Sequence, residues 1–158
     1  MTNRQLFLQH LAQTSPAPLA LEIVRAECCL LYDIGGKSYL DLIGGISVAN
    51  VGHRHAAVVE AERAIIELIT PGLPIADYLK QVDEIMKQAL QSLGLLKSLD
   101  DTETYRKYFP HAVSHGLGVD THDSLGRPRY LEAGMVLTVE PGIYIPEESI
   151  GVRIEDDI

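Results

Sequence analysis

Residues 111–123, HAVSHGLGVDTHD, bring His111, His115 and His122 into one short segment, and they are three of the chain's six histidines. Two acidic residues follow at the ends of strand-like runs, Glu140 in LTVEPG and Glu155 in VRIEDD. Imidazole nitrogen and carboxylate oxygen form a hard-to-borderline donor set that suits manganese, zinc, iron or cobalt. Two carboxylates with several histidines are a common way to hold a pair of such ions. A second histidine pair, His53 and His55 in NVGHRH, has no acidic or thiol residue following at ligand spacing and is read as part of a loop. Gly35-Gly36 and Gly44-Gly45 lack the lysine-serine context and the strand-to-helix placement of a phosphate loop, so they are read as turns.

These donors must be carried by elements that bring remote positions together. At 158 residues, with 46% hydrophobic and 22% charged residues, the chain is long enough to bury a core in one or two small domains. A net charge of −9, with scattered basic residues, excludes a nucleic-acid or anionic-membrane surface. No run is long and apolar enough for a membrane span or a secretory signal, and the expected location is the cytoplasm. Cys28 and Cys29 are adjacent, so they point to opposite faces of a strand and do not pair; they are expected to be buried packing thiols.

The pattern changes near residue 60. Before it, Leu6, Phe7, Leu8 and Leu11 give helical spacing that Ser15-Pro16 and Pro18 stop. Residues 28–33 and 38–43 are strand-like, joined by a hairpin connection at 34–37; Ile46-Ser47-Val48 resumes an extended run, and 50–55 is a loop. From Ala57 the period is helical, with Val58, Ala61, Ile65, Leu68 and Ile69 on one face and Thr70-Pro71-Gly72 as the stop. A second helix presents Ile75, Leu79, Val82, Met86, Ala89 and Leu93, with Gly94 as its left-handed C-cap. Residues 98–110 are polar, and 134–140 and 151–158 are β-like. Alternation in GVRIEDD puts Val152 and Ile154 on one side and Arg153 and Glu155 on the other, so Glu155 points away from the apolar side.

The stretches AERAIIELITPG, HAVSHGLGVDTHD, LEAGMVLTVEPGIYI and GVRIEDD, in that order, resemble the C-terminal catalytic half of Xaa-Pro aminopeptidase, a branch of the pita-bread metallopeptidases that also include methionine aminopeptidase and prolidase. The resemblance implies an α+β chain with a partial pita-bread fold at residues 61–158. It implies His115, Glu140 and Glu155 as metal ligands, with Glu140 also serving near the attacking water and Glu155 bridging two ions. His111 and His122 would contact substrate or stabilise the tetrahedral intermediate, and Arg153 would partner the site. The implied cofactor is a divalent metal, manganese first and zinc, cobalt or iron as alternatives. The implied reaction is hydrolysis of the bond between an N-terminal residue and proline. The family takes two further aspartate ligands from an upstream hairpin, in a pattern like D-x-G followed by S-D-x-T-R, and that pattern is missing here. Asp33 and Asp41, on the two arms of the expected hairpin, are the candidates to replace them.

Residues 16–59, from PAPLALEIVRAE through LYDIGGKSYLDLIGGISVANVGHRHAAVVEA, resemble the N-terminal segment of class III pyridoxal-phosphate aminotransferases of the acetylornithine and ornithine kind. That resemblance implies a β-meander segment over residues 1–60, with the junction between 57 and 64. It brings none of the family's cofactor-binding residues, so no cofactor-binding residue is assigned and pyridoxal phosphate is not expected. Three functional readings follow: an incomplete metallopeptidase acting on a peptide, an aminotransferase relative, and a non-catalytic chimeric or interaction module. Half a pita-bread sheet leaves strand edges unpaired, which predicts a homo-oligomer.

Overall fold

The computed structural model describes residues 2–10, 21–42, 44, 53–120 and 122–158. The expected helix stop at Ser15 to Pro18, the extended run at Ile46 to Val48 and the first part of the 50–55 loop lie outside the described residues. Helix α1 (Asn3–His10) forms where the spacing predicts it, but it buries no residue.

Strands β1 (Ile23–Glu27), β2 (Leu30–Asp33) and β3 (Ser38–Leu40) make an antiparallel meander in that order. β2, β3 and their connection match the expected hairpin, and β1 is an addition to it. Asp33 closes the turn by accepting from the Lys37 amide at 2.9 Å and the Tyr39 hydroxyl at 2.8 Å. Those donors, Tyr39 first, hold its carboxyl below the ordinary range. No residue of this sheet belongs to the core cluster. The two cysteines correct the expectation of buried thiols. They sit where β1 turns into β2, with Cys28 at a φ of 50°, and both are exposed and unpaired.

The core lies in the remainder of the chain. Helix α2 (Ala56–Leu68) buries Val58, Ala61 and Ile65, as its period predicts, together with one charged residue, Glu62. Helix α3 (Ile75–Ser92) buries Tyr78, Val82, Met86 and Leu90, a strict four-residue repeat. The stripe drawn through Leu79 and Leu93 is therefore rotated from the observed one, and those residues are 48% and 39% exposed. Tyr78, which was not part of the expected stripe, takes the buried place because its ring packs inward while its hydroxyl reaches Ser114 at 2.8 Å. Gly94 follows the helix with a φ of 73°, as a C-cap glycine should.

The polar stretch contains helix α4 (Thr102–Tyr108), which the apolar period did not reveal. Its signals are local: Asp101 accepts the Thr104 amide at 3.0 Å as N-cap, Glu103 lies in the first turn, and Arg106 and Lys107 lie in the last. Tyr105 and the following Phe109 anchor it in the core.

The β-like C-terminal region resolves into short pieces. Strand β4 (Thr138–Val139) pairs antiparallel with β7 (Asp156–Asp157), and β5 (Gly142–Ile145) pairs with β6 (Ile150–Arg153) through a 3₁₀ turn at Pro146–Glu148. In β5 and β6, Ile143 faces Val152 and both enter the core, while Tyr144 faces Gly151 and Gly142 faces Arg153. On its other flank β4 is bound by the segment 113–116, through Thr138 N to His115 O at 3.0 Å and Glu140 N to Val113 O at 2.8 Å. This makes β4 the central strand of a small layer whose neighbours both come from elsewhere in the chain.

Candidate metal centre

Backbone alternation along residues 137–140 sends Leu137 and Val139 into the core and leaves Thr138 and Glu140 on the opposite face. Thr138 Oγ1 ties that face together, accepting the His115 amide at 3.0 Å and donating to Glu140 Oε1 at 3.2 Å. The 113–116 strap is held a second time by the Tyr78–Ser114 hydrogen bond. His115 and Glu140, remote in sequence, thus become neighbours, with His115 Nε2 standing 3.3 Å from Glu140 Oε1. Glu155 enters from the residue preceding β7. Ligand atoms of His115, Glu140 and Glu155 all lie within 4.8 Å of one another, the one such cluster of three or more donors among the described residues.

The protonation pattern suits a cation. A carbonyl oxygen only accepts, so the 2.9 Å contact between His115 Nδ1 and Gly116 O places a proton on Nδ1, and in the neutral ring it is the Nε2 lone pair that faces the carboxylates. An imidazole lone pair and a 6%-exposed carboxylate aimed at each other are two electron-rich groups that a divalent ion would reconcile. Arg153 balances the remaining charge, with Nη1 3.4 Å from Glu140 Oε2 and Nη2 3.2 Å from Glu155 Oε2. The donor set fits one ion, with two carboxylates and one imidazole.

The structure distributes the other expected site residues unequally. His122 is brought beside the cluster, its ring centroid 4.7 Å from that of His115 in an edge-on arrangement. A tight loop does this: Asp123 accepts the amides of Val119 at 2.9 Å and Ser124 at 2.8 Å, and any side chain at Gly118 would collide with its carboxylate. These amides, Ser124 first, hold the Asp123 carboxyl below its ordinary range. His111 is held apart from the donor cluster. Its Nδ1 donates to Ala112 O at 2.8 Å and its Nε2 accepts the Tyr144 hydroxyl at 2.9 Å, so both ring nitrogens have protein partners. Burial pushes the Tyr144 phenol up, and Arg153 opposes it. Tyr144 and Thr138 were not foreseen, because neither has a motif of its own; each is found only by asking which hydroxyls share a face with Arg153 and Glu140.

Asp33 and Asp41 are engaged elsewhere. Asp33 closes the hairpin turn, and Asp41 lies 2.6 Å from His53 Nε2 and accepts the Gly44 amide at 2.9 Å. His53 accordingly has a structural partner, in keeping with its reading as a loop residue.

Comparison with known proteins gives this arrangement a family. A model of metallopeptidase family M24 matches residues 42–158. The chain belongs to metallopeptidase family M24. It is 39% identical over 129 residues to Xaa-Pro aminopeptidase 3 of Rattus norvegicus, covering 73% of this chain and 26% of that protein. It is 44% identical over 117 residues to the Xaa-Pro aminopeptidase of Haemophilus influenzae, covering 64% of this chain and 27% of the relative. Zinc-substituted Escherichia coli aminopeptidase P in complex with product superposes with a TM-score of 0.56 at 42% identity, over 65% of this chain and 27% of that one. The fold is therefore α+β and resembles the pita-bread architecture, preceded by an antiparallel meander. The M24 chain described here spans about a quarter of the length of the curated relatives it matches. Among the described residues, no helix is long and apolar enough to cross a membrane.

Proposed function

We propose that this M24 chain is a metal-dependent, Xaa-Pro aminopeptidase-like protein that holds a single divalent ion and, as an incomplete site, hydrolyses peptides slowly or not at all. The carrying observation is the convergence of His115, Glu140 and Glu155 within 4.8 Å. Manganese is the first candidate, with zinc, cobalt and iron as alternatives. When bound, such an ion supplies Lewis acidity toward a peptide carbonyl and toward water. In this reading Glu140, whose Oε1 accepts from Thr138, would take the proton of an attacking water. In this reading His122, exposed beside His115, would donate toward the carbonyl oxygen as charge develops there. His111 acts through Tyr144, keeping the Arg153 side of the site in register.

Two ligands fewer than the family's five make a two-ion site unattainable from these residues alone. Metal analysis of purified protein, a manganese titration and hydrolysis of a peptide with proline in second position test the reading together. The expected result is one ion per chain, lost in His115→Ala, with little turnover. Protein that retains no metal and shows no heat of manganese binding would overturn it.

For residues 1–60 the aminotransferase-like origin is proposed as a separate matter, supported by the sequence resemblance and by a meander that contributes nothing to the core. Pyridoxal phosphate added to the protein should give no aldimine absorbance, since no Schiff-base lysine is assigned.

A further inference from the structure

The two thiols of this chain meet at a tight turn rather than along a strand. Cys28 and Cys29 are its only cysteines. Glu27 pairs with Leu30 across β1 and β2, so the cysteines fill both central positions of a two-residue connection. On a strand, neighbouring side chains would leave on opposite faces. Here that alternation is broken, because Cys28 takes a φ of 50°, the left-handed conformation that such turns require at their first central position. Both residues are exposed. The backbone beneath them is fixed from two sides: the Cys28 carbonyl accepts the His53 amide at 2.7 Å, and the Cys29 carbonyl accepts the Asp41 amide at 2.9 Å. His53 and Asp41 hold each other in turn, ring to carboxylate, at 2.6 Å. The result is a pair of accessible thiols on an anchored turn.

What such a pair can hold follows from distance and donor number. Consecutive Cα atoms are about 3.8 Å apart, shorter than the range of about 4.4–6.8 Å for ordinary disulfides, so a direct S–S bond would be strained. An atom bonded to both sulfurs widens the ring and relieves that constraint. Thiolates are soft donors, but a structural zinc takes four of them or their equivalents. No third donor gathers at the turn: among the described residues, the one cluster of three or more donors within 4.8 Å of one another is His115, Glu140 and Glu155. A trivalent arsenical that carries one organic group needs two thiols and nothing more.

We propose that Cys28 and Cys29 form a dithiol site for trivalent arsenicals, apart from the metal centre. Each sulfur forms one bond to arsenic, the two thiol protons leave with the arsenical's oxygen as water, and arsenic stays trivalent, so no oxidant or reductant is consumed.

Titration of the full chain with phenylarsine oxide, read by intact mass and by a thiol-reactive dye, tests this. The expected result is one adduct per chain with both thiols lost together, released by dithiothreitol but not by mercaptoethanol at the same thiol concentration. Cys28→Ser and Cys29→Ser should each bind about 100-fold more weakly, because the second bond is then no longer intramolecular. Wild type that keeps both thiols reactive, or single variants that bind as tightly as wild type, would overturn the proposal. Tighter binding by the chain unfolded in guanidinium would show that the turn holds the sulfurs apart and would overturn it as well. Neither cysteine belongs to the candidate metal centre, so loss of manganese binding in His115→Ala tests the peptidase reading independently.

Discussion

Replacing Glu62 by glutamine should stabilise the protein, and by an amount that grows with pH. The carboxyl ionises near 4.5 in an unfolded chain and near 7 in the folded one, chiefly because burial penalises its charge. Between those values the folded state binds the proton more tightly than the unfolded state, so stability falls as pH rises through this window and levels off above it. The interval corresponds to at most about 3 kcal/mol at about 1.36 kcal/mol per pKa unit, and solvent in the cavity that Glu62 lines should screen this to about 1–2 kcal/mol. Glutamine keeps the shape and cannot ionise. At pH 5, near the foot of the window, where about a quarter of the effect is present, the variant should melt only about 0.5–2 °C higher than wild type, whereas at pH 8 it should melt about 2–8 °C higher, at about 2–4 °C per kcal/mol for a chain of this size. Differential scanning calorimetry at the two pH values is the assay, and carboxylates common to both proteins cancel in the comparison. An equal difference in Tm at pH 5 and pH 8 would show that Glu62 is not a buried charge and would refute the reasoning.

Gly142→Ala would push a methyl group to within 2.8 Å of the Tyr144 hydroxyl and 3.0 Å of His111 Nε2; chemical denaturation should report a loss of about 1–3 kcal/mol. Met86→Ala, in the centre of the α3 stripe, should cost about 2–5 kcal/mol, while Leu79→Ala on the exposed side should change stability by about 0.5 kcal/mol or less. A manganese titration of the Asp33→Asn/Asp41→Asn double variant should match wild type in affinity and stoichiometry, because both carboxylates have their own partners in and beside the hairpin. A drop in either quantity would return these aspartates to the metal site.

Much of the helical architecture was legible before any coordinates. α2 and α3 have long apolar periods and clear stops, and such patterns survive because burial of one face is what holds a helix in place. The register of α3 was less legible, since a tyrosine can be buried if its hydroxyl finds a partner, and Ser114 is 36 residues away. α4 was hidden because its amphipathic signal is short and its defining feature is a cap. The C-terminal strands were recognised as β-like, but their fragmentation around Glu140, Pro141 and the 3₁₀ turn depends on pairing between distant segments.

By itself the amino-acid sequence determined the chemical types of the candidate site, one imidazole and two carboxylates in an order specific to a family of metallopeptidases, because ligand identity and spacing are written residue by residue. Only the tertiary structure decided that those three converge, that His111 is occupied by Tyr144, and that Asp33 and Asp41 serve other partners. Each of these is a distance between groups far apart along the chain, and such distances are set by how β4 gathers its neighbours and how α2 packs, which no local pattern encodes.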